Sequence, residues 1–265
     1  MSLKRVRSTG TVNHVFRLGE SLQVRVPRYQ EVAADLDKEL RLLPRLAPLL
    51  SLRVPEPVAR GDPDADVPVR WAVYRWLDGT PYDDALVTDE VQAAINLAEF
   101  VKALRAVDPV DAPPAGRAPL RTLDEATREA LLASDGIDVA AAVAAWDRAV
   151  ESAAWDGLGP VWIHADLLRP NLLVVDGRLD AVLDWGSAGI GDPAADVIAA
   201  WSVFRRAGRR AFLAALEVDD ETIERAKGFA VTQSALIIPY YTRTNPGLAA
   251  HARRTIAEVI DDNRG

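Results

Sequence analysis

Two short polar stretches lie between strongly apolar segments in the second half of the chain. The first contains His164, Asp166 and Asn171, and the second contains Asp184. A carboxylate among apolar residues is costly to bury unless it is paired or bound to a metal ion, so both aspartates need an explanation. Phosphoryl transfer supplies one, because it uses a carboxylate to accept a hydroxyl proton and hard oxygen ligands to hold magnesium beside the phosphates.

The spacing of these residues fits that chemistry. In the kinase signature H-R-D-x-x-x-x-N the base and one metal ligand are five positions apart, and a second ligand follows a hairpin. Asp166 and Asn171 have this separation, and Asp184 follows a predicted hairpin. The pattern predicts Asp166 as catalytic base, Asn171 and Asp184 as magnesium ligands, and His164 as a catalytic-loop residue acting through hydrogen bonds. The alternative is that Asp166 and Asn171 are a helix cap and a turn residue.

Strands and one helix are predicted before these motifs. Residues 15–18 and 22–26 flank a glycine-containing turn and predict a hairpin. Apolar residues recur at helical spacing over residues 29–46, with Glu39 beside the apolar stripe. Residues 71–77 predict a buried strand that connects this half to the next.

The rest of the chain is predicted to be mostly helical. Thr88 is expected to cap a helix, and the alanine-rich residues 122–155 predict one or two more. Asp176-Gly177, a strong hairpin turn signal, joins strands predicted at residues 172–175 and 179–183. Helices are expected again from residue 192 onward.

This order of elements indicates an α+β fold with two lobes. We expect residues 1–77 to form an N-terminal nucleotide-binding lobe that ends in a hinge. Residues 78–265 would form a C-terminal catalytic and substrate-binding lobe, with a cleft between the two.

Three linked motifs resemble the aminoglycoside and macrolide phosphotransferase family, which is also called choline-kinase-like. That family carries H-G-D-x-x-x-x-N, a hairpin, I/L-D-[FW] and G-D-P-x-x-D. The corresponding segments here are His164-Ala165-Asp166 with Asn171, Leu183-Asp184-Trp185, and Gly191-Asp192-Pro193 with Asp196. The resemblance covers nearly the whole chain and implies a protein-kinase-like fold with a small β-rich N-terminal lobe and a large, mostly helical C-terminal lobe.

The resemblance also implies roles outside the three motifs. Arg25 stands where the family has a phosphate-binding lysine, with Glu39 as its helix partner. The backbone of Arg75 and Leu77 would contact the nucleotide base, and Asp196 would brace the catalytic loop. A surface salt bridge is the alternative for Arg25 and Glu39, and an ordinary acid at a helix N-terminus is the alternative for Asp196.

Several positions depart from the family pattern. Ala165 replaces a glycine, which matters if the position requires a positive φ. Arg25 presents a fork of donors where lysine presents a point charge. Gln23 lies where a small residue usually floors the base pocket, and the expected nucleotide loop, residues 8–14, has Gly10 as its single glycine. The choice between ATP and GTP therefore stays open.

The expected function is transfer of the γ-phosphate of ATP or GTP, with Mg²⁺ as cofactor, to a hydroxyl of a small molecule. The acceptor is either an aminoglycoside or macrolide antibiotic, which would make the protein an antibiotic-resistance enzyme, or a metabolic amino alcohol, sugar or amino acid. A nucleotide-binding module without turnover is a further alternative. A protein kinase is disfavoured, because no long activation segment separates Asp184 from Asp192.

The composition limits the partners. The 265 residues carry a net charge of -8, so there is no basic excess for a nucleic-acid backbone, and a cationic acceptor is favoured. The absence of cysteine excludes disulfides and thiolate chemistry. No segment approaches the roughly 18 apolar residues of a membrane span or the pattern of a signal peptide, and we expect a cytoplasmic protein without a membrane partner.

Overall fold

The computed structural model describes residues 2–6, 13–30, 33–152, 154–155 and 159–264. Its strands are β1 (Leu3–Arg5), β2 (Asn13–Leu18), β3 (Leu22–Pro27), β4 (Pro57–Gly61), β5 (Trp71–Arg75), β6 (Thr80–Pro81), β7 (Val161–Ile163), β8 (Leu172–Val175), β9 (Arg178–Val182) and β10 (Gly189–Gly191). Its α-helices are α1 (Ala33–Leu46), α2 (Glu90–Arg105), α3 (Asp124–Ala133), α4 (Val139–Glu151), α5 (Ala194–Val197), α6 (Ala199–Ser202), α7 (Arg206–Leu216), α8 (Asp220–Tyr241) and α9 (Pro246–Asp262).

A five-stranded antiparallel sheet with the order β1-β2-β3-β5-β4 forms the N-terminal part. The predicted hairpin over residues 15–26 is confirmed, since β2 pairs with β3 along its whole length. Gly19 has φ 63 in the turn, a conformation that glycine adopts without steric cost.

Helix α1 packs beside this sheet through an apolar stripe that is buried. The stripe contains Leu36, Leu43 and Leu46, and Glu39 is buried among them. The helix ends at Leu46 as predicted. Its predicted first residue, Tyr29, lies outside the helix with 61% of its surface exposed, because the apolar contacts begin only one turn into α1.

The connector strand β5 is buried as predicted but ends at Arg75, two residues earlier than expected. The next strand, β6, is not part of the first sheet. It pairs with β8 in a separate sheet of order β6-β8-β9. The predicted domain division at residue 77 falls in this crossover segment and stays a prediction.

The cap of α2 differs from the one predicted. Asp89, not Thr88, is the N-cap, and its carboxylate accepts a hydrogen bond from the N–H of Gln92 at 2.9 Å. The Thr88 hydroxyl instead donates to the carbonyl of Gly177 in the β8–β9 turn. Thr88, which the local pattern assigned to the cap, is therefore engaged in a tertiary contact instead.

The second hairpin is confirmed. Asp176 and Gly177 have φ values of 48 and 77, as a two-residue turn with left-handed residues requires. Strands β8 and β9 pair on either side of it. The hairpin connects the catalytic-loop motif to the turn that carries Asp184.

The C-terminal part is built from helices around a large apolar core. Helix α8 lies in the middle of this part, in contact with α3, α4, α5 and α9. Four tryptophans are fully buried: Trp146, Trp162, Trp185 and Trp201. Over the described ranges, no helix combines the length and apolarity that crossing a membrane requires.

Candidate active site

The predicted catalytic loop connects β7 to β8 and is fixed from behind by α5. The buried carboxylate of Asp196 accepts hydrogen bonds from the N–H groups of His164 at 2.8 Å and Ala165 at 2.7 Å. Ala165 has φ 66, in the left-handed region that costs an L-residue about 1–2 kcal/mol. Asp196 thus contacts two N–H groups of a loop whose backbone conformation alanine does not favour, and its role as a brace for catalysis stays a prediction.

The imidazole of His164 joins the catalytic loop to the Asp184 turn. Its Nδ1 accepts from the N–H of Asp166 at 3.2 Å, and its Nε2 lies 3.0 Å from the carbonyl of Leu183. Burial lowers the pKa of His164, which favours a neutral ring with the proton on Nε2. Both ring nitrogens are thus engaged, and the ring packs edge-on against Trp185 at 4.9 Å.

The carboxylate of Asp166 is oriented by three side-chain donors. Its Oδ1 accepts from Gln233 Nε2 at 2.6 Å and Arg117 Nη2 at 3.2 Å, and its Oδ2 accepts from Asn171 Nδ2 at 2.7 Å. Burial raises the pKa of Asp166, and the charge of Arg117 opposes this change. The side chain keeps 25% of its surface exposed. A held, partly open carboxylate is what proton abstraction from a bound hydroxyl requires.

The two predicted magnesium ligands have oxygen atoms available. Asn171 uses Nδ2 toward Asp166, and no described group donates to its Oδ1. Asp184 has φ 64 and a side chain that is 40% exposed, with Arg25 Nη2 at 4.0 Å from its Oδ1. Mg²⁺ usually takes one or two protein oxygens and completes its shell with phosphates and water, so these residues fit it. The described residues contain no cluster of three or more histidines, cysteines and acids suited to a metal.

A buried ion pair connects the first sheet to the Asp184 turn. Arg25 Nη1 donates to Oε2 of Glu39 at 2.6 Å, and this oxygen also accepts from the Tyr74 hydroxyl at 3.0 Å. Oε1 accepts from the N–H of Trp185 at 2.8 Å. Burial, the largest single effect, would lower the pKa of Arg25, but Glu39, Tyr74 and Asp184 together outweigh it and raise that pKa.

The predicted pairing of Arg25 with Glu39 is therefore confirmed as a contact. The alternative of a surface salt bridge is wrong, because the two side chains are only 12% and 3% exposed. Their role toward phosphate stays a prediction.

The expected hinge offers fewer backbone groups than the sequence suggested. The N–H of Arg75 donates to the carbonyl of Glu56 at 2.9 Å, so this N–H is not available to a nucleotide base. The N–H of Leu77 has no acceptor among the described residues. Gln23 pairs with Tyr74 across β3 and β5. Residues 8–12 of the expected nucleotide loop lie outside the described residues.

Sequence reasoning missed three residues of the site. Gln233 and Arg117 contact Asp166, and Tyr74 contacts Glu39. Gln233 could have been noticed in the sequence, since it is a polar residue on the buried face of α8. No sequence pattern indicated Arg117, because it lies in an aperiodic loop before α3 whose approach to Asp166 depends on the tertiary fold.

The sheet, the helical part and the braced loop between them define a kinase-like phosphotransferase architecture. A model described as the phosphotransferase enzyme family matches residues 4–229. The chain belongs to this family, which confirms the resemblance drawn from its motifs.

Known proteins agree with this assignment at the level of fold. The chain is 26% identical over 202 residues to the uncharacterized protein YcbJ of Bacillus subtilis (strain 168), an alignment that spans 68% of this chain and 62% of that protein. The GDP and kanamycin complex of an APH(2″) aminoglycoside phosphotransferase superposes with a TM-score of 0.74 and 21% identity, covering 99% of this chain and 94% of that chain. The macrolide 2′-phosphotransferase MphH of Brachybacterium faecium superposes with a TM-score of 0.60 and 22% identity, covering 96% of this chain and 91% of that chain. The predicted α+β kinase-like fold is confirmed.

Proposed function

We propose that this chain transfers the γ-phosphate of ATP or GTP to a hydroxyl group of a small molecule. The observation that carries the proposal is the Asp166 carboxylate, held by three donors and partly open beside the oxygens of Asn171 and Asp184. A loop that served only to connect two strands would have no need of this arrangement. The GDP in the APH(2″) structure supports a nucleotide as donor.

In this reaction the acceptor hydroxyl lies against Asp166. Its oxygen forms a bond to the γ-phosphorus as the bond from phosphorus to the bridging oxygen breaks, and its proton passes to the carboxylate of Asp166. Asn171, Arg117 and Gln233 keep that carboxylate in one orientation, which is a positioning contribution. Nucleoside diphosphate and the phosphorylated acceptor are the products.

Charge stabilisation comes from the groups around the phosphates. Magnesium held by Asn171 and Asp184 would neutralise charge on the transferring phosphate. Arg25, kept in place by Glu39, reaches toward the same side as Asp184 and would bind phosphate oxygens through its remaining donors. Glu39 also fixes the Asp184 turn through Trp185, so one side chain aligns both groups.

Magnesium-dependent nucleotide turnover against a panel of acceptors tests the proposal. The panel comprises aminoglycosides, macrolides, amino alcohols, sugars and hydroxy amino acids, each with ATP and with GTP. We expect one acceptor class to stimulate turnover and to become phosphorylated, with loss of activity in EDTA. An aminoglycoside or macrolide would indicate a resistance enzyme, and a metabolite would indicate a metabolic kinase.

Asp184→Asn is the matched variant, since it removes a metal-binding charge at constant size. It should raise the magnesium concentration needed for turnover and lower the rate by at least about 100-fold. Tight nucleotide binding without turnover for any acceptor would instead favour the nucleotide-binding module and contradict the proposal.

A further inference from the structure

A cavity of about 230 Å³ lies in the C-terminal part of the molecule. Its walls are mostly apolar and come from the loop before α3, from α4, from β10 and from α8. Apolar wall residues include Pro119, Leu120, Val150, Ile190 and Phe229. Pockets for drug-sized ligands usually measure about 300–1,000 Å³, so this one suits a smaller molecule with an apolar portion.

Two residues of the cavity wall lead toward Asp166, which does not itself line the cavity. Phe229 lines the cavity, and Gln233, one helical turn further on, donates to Asp166. Residues four apart on a helix are separated by about 6 Å along its axis. Arg117 makes the second connection, because it lines the cavity and its Nη2 donates to Asp166. Through Arg117, the cavity wall is in direct contact with the proposed base.

The charges lining the cavity are predominantly positive. Three arginines line it, Arg117, Arg121 and Arg225, against a single acid, Asp192. Asp192 is already engaged, since its Oδ2 accepts from Nε of Arg225 at 2.9 Å. No described carboxylate in the lining is left for a cationic ligand, although the chain as a whole has a net charge of -8.

Arg117 has donor capacity that the described protein groups do not use. Its Nε donates to the carbonyl of Ala165 at 2.7 Å and its Nη2 to Asp166 at 3.2 Å. These two bonds fix the plane of the guanidinium, and no described group accepts from Nη1. A guanidinium fixed in this way is suited to bind a carboxylate placed beside it.

We infer that this cavity binds the acceptor and that Arg117 selects a small acceptor with a carboxylate next to its hydroxyl. The inference rests on the proposed function and names its substrate class, a hydroxy acid with an apolar substituent. The carboxylate pairs with Arg117, the apolar substituent fills the cavity, and the hydroxyl points at Asp166. A polycationic acceptor is disfavoured, in contrast to the expectation from overall composition.

Three probes of similar shape test this assignment by binding. They are 3-phenyllactate, 3-phenylpropane-1,2-diol and phenylalaninol, which carry a carboxylate, a neutral hydroxymethyl group and an ammonium group. Their affinities are measured by calorimetry on the full chain loaded with magnesium and non-hydrolysable ATP or GTP analogue. We expect phenyllactate to bind at least about tenfold more tightly than phenylalaninol, which corresponds to 1.4 kcal/mol.

Two variants assign the preference to one residue. Arg117→Met should abolish the preference, whereas Arg121→Met, at an exposed arginine of the same cavity, should keep most of it. Arg117→Lys should restore part of it, which a purely structural role for Arg117 does not predict. Circular dichroism and nucleotide affinity confirm that each variant is folded.

The outcomes separate this inference from the proposed function. Equal affinities, tighter binding of phenylalaninol, binding of none of the probes at millimolar concentration, or an unchanged preference in Arg117→Met would each overturn the inference. The proposed function would still stand if another acceptor, such as kanamycin, were phosphorylated. Absence of nucleotide binding would instead count against the proposed function.

Discussion

At the scale of single residues, the properties of Asp166 depend on opposing effects of its neighbours. Burial raises the pKa of its carboxyl above the ordinary value of 3.8, and the charge of Arg117 lowers it again. Gln233 and Asn171 donate to the ionised form and favour it further. These opposing effects keep the carboxylate available as a base although it is largely shielded from solvent.

This balance predicts a shift in the pH dependence of turnover. The active form of Asp166 is deprotonated, so kcat/KM should fall as the pH is lowered through its pKa. Removing the positive charge in Arg117→Met should raise that pKa and move the acid limb to higher pH. A pH–rate profile of both proteins measures the shift.

Arg121→Met is the control for this profile, because Arg121 is exposed and makes no described contact with Asp166. Its acid limb should coincide with that of the unchanged chain. An acid limb for Arg117→Met that stays in place or moves to lower pH would refute this reading of the Asp166 environment.

At the scale of elements, Glu39 connects three of them. Its carboxylate accepts hydrogen bonds from Arg25 in β3, from Tyr74 in β5 and from the backbone N–H of Trp185 after β9. Only 2% of the surface of Glu39 is exposed. Removing its charge leaves the buried guanidinium of Arg25 with only the more distant carboxylate of Asp184, at 4.0 Å, as a counterion. The cost of such a change exceeds the net value of the pair, because the remaining charge stays desolvated.

Glu39→Gln should therefore lower the free energy of unfolding by about 3–5 kcal/mol. Chemical denaturation measures the change. Glu56→Gln is the matched control, since Glu56 pairs with Arg75 at 2.9 Å but both side chains are about 60% exposed. That variant should cost less than about 1 kcal/mol. Similar losses of unfolding free energy in the two variants would show that the buried Arg25–Glu39 pair contributes no more to stability than the exposed pair.

The end of α7 offers a test of backbone strain at the same scale. Glu217 terminates the helix with φ 55, where glycine is the preferred residue, and its carboxylate meets Lys102 at 3.1 Å on the surface. Glu217→Gly should be more stable than Glu217→Ala by about 1 kcal/mol. Both variants lose the ion pair, so their difference isolates the left-handed backbone.

Equilibrium unfolding of the two Glu217 variants gives the comparison. If the alanine variant were equally stable, the left-handed conformation at the α7 terminus would carry no measurable cost.

At the scale of the whole molecule, the sequence predicted the parts of the fold that depend on local pattern. Both hairpins were identified because Gly19 and Asp176-Gly177 are turn residues between apolar strands. The pairing of Arg25 with Glu39 was anticipated through the family resemblance, and the structure brings them to 2.6 Å. The kinase-signature spacing predicted one site for Asp166, Asn171 and Asp184, and the roles of these residues stay a prediction.

What the sequence did not predict depends on contacts between distant segments. Gln233 lies 67 positions from Asp166 and Arg117 lies 49 positions away, and no periodicity connects them. The cap of α2 was misassigned for the same reason, because the β8–β9 turn engages Thr88 and leaves Asp89 to cap. The cavity beside Arg117, formed by four separate segments, has no signature in any one of them.

The central claim is that Asp166 accepts the proton of a hydroxyl during phosphate transfer. The most direct test compares Asp166→Asn with the unchanged chain in two measurements on the same preparation: the rate of phosphate transfer at saturating acceptor, and the dissociation constant of the nucleotide. We predict a loss of rate of about 10²–10⁴-fold with nucleotide affinity changed by less than about threefold. A rate that survives the substitution, or one that falls only in proportion to nucleotide affinity, would contradict the claim.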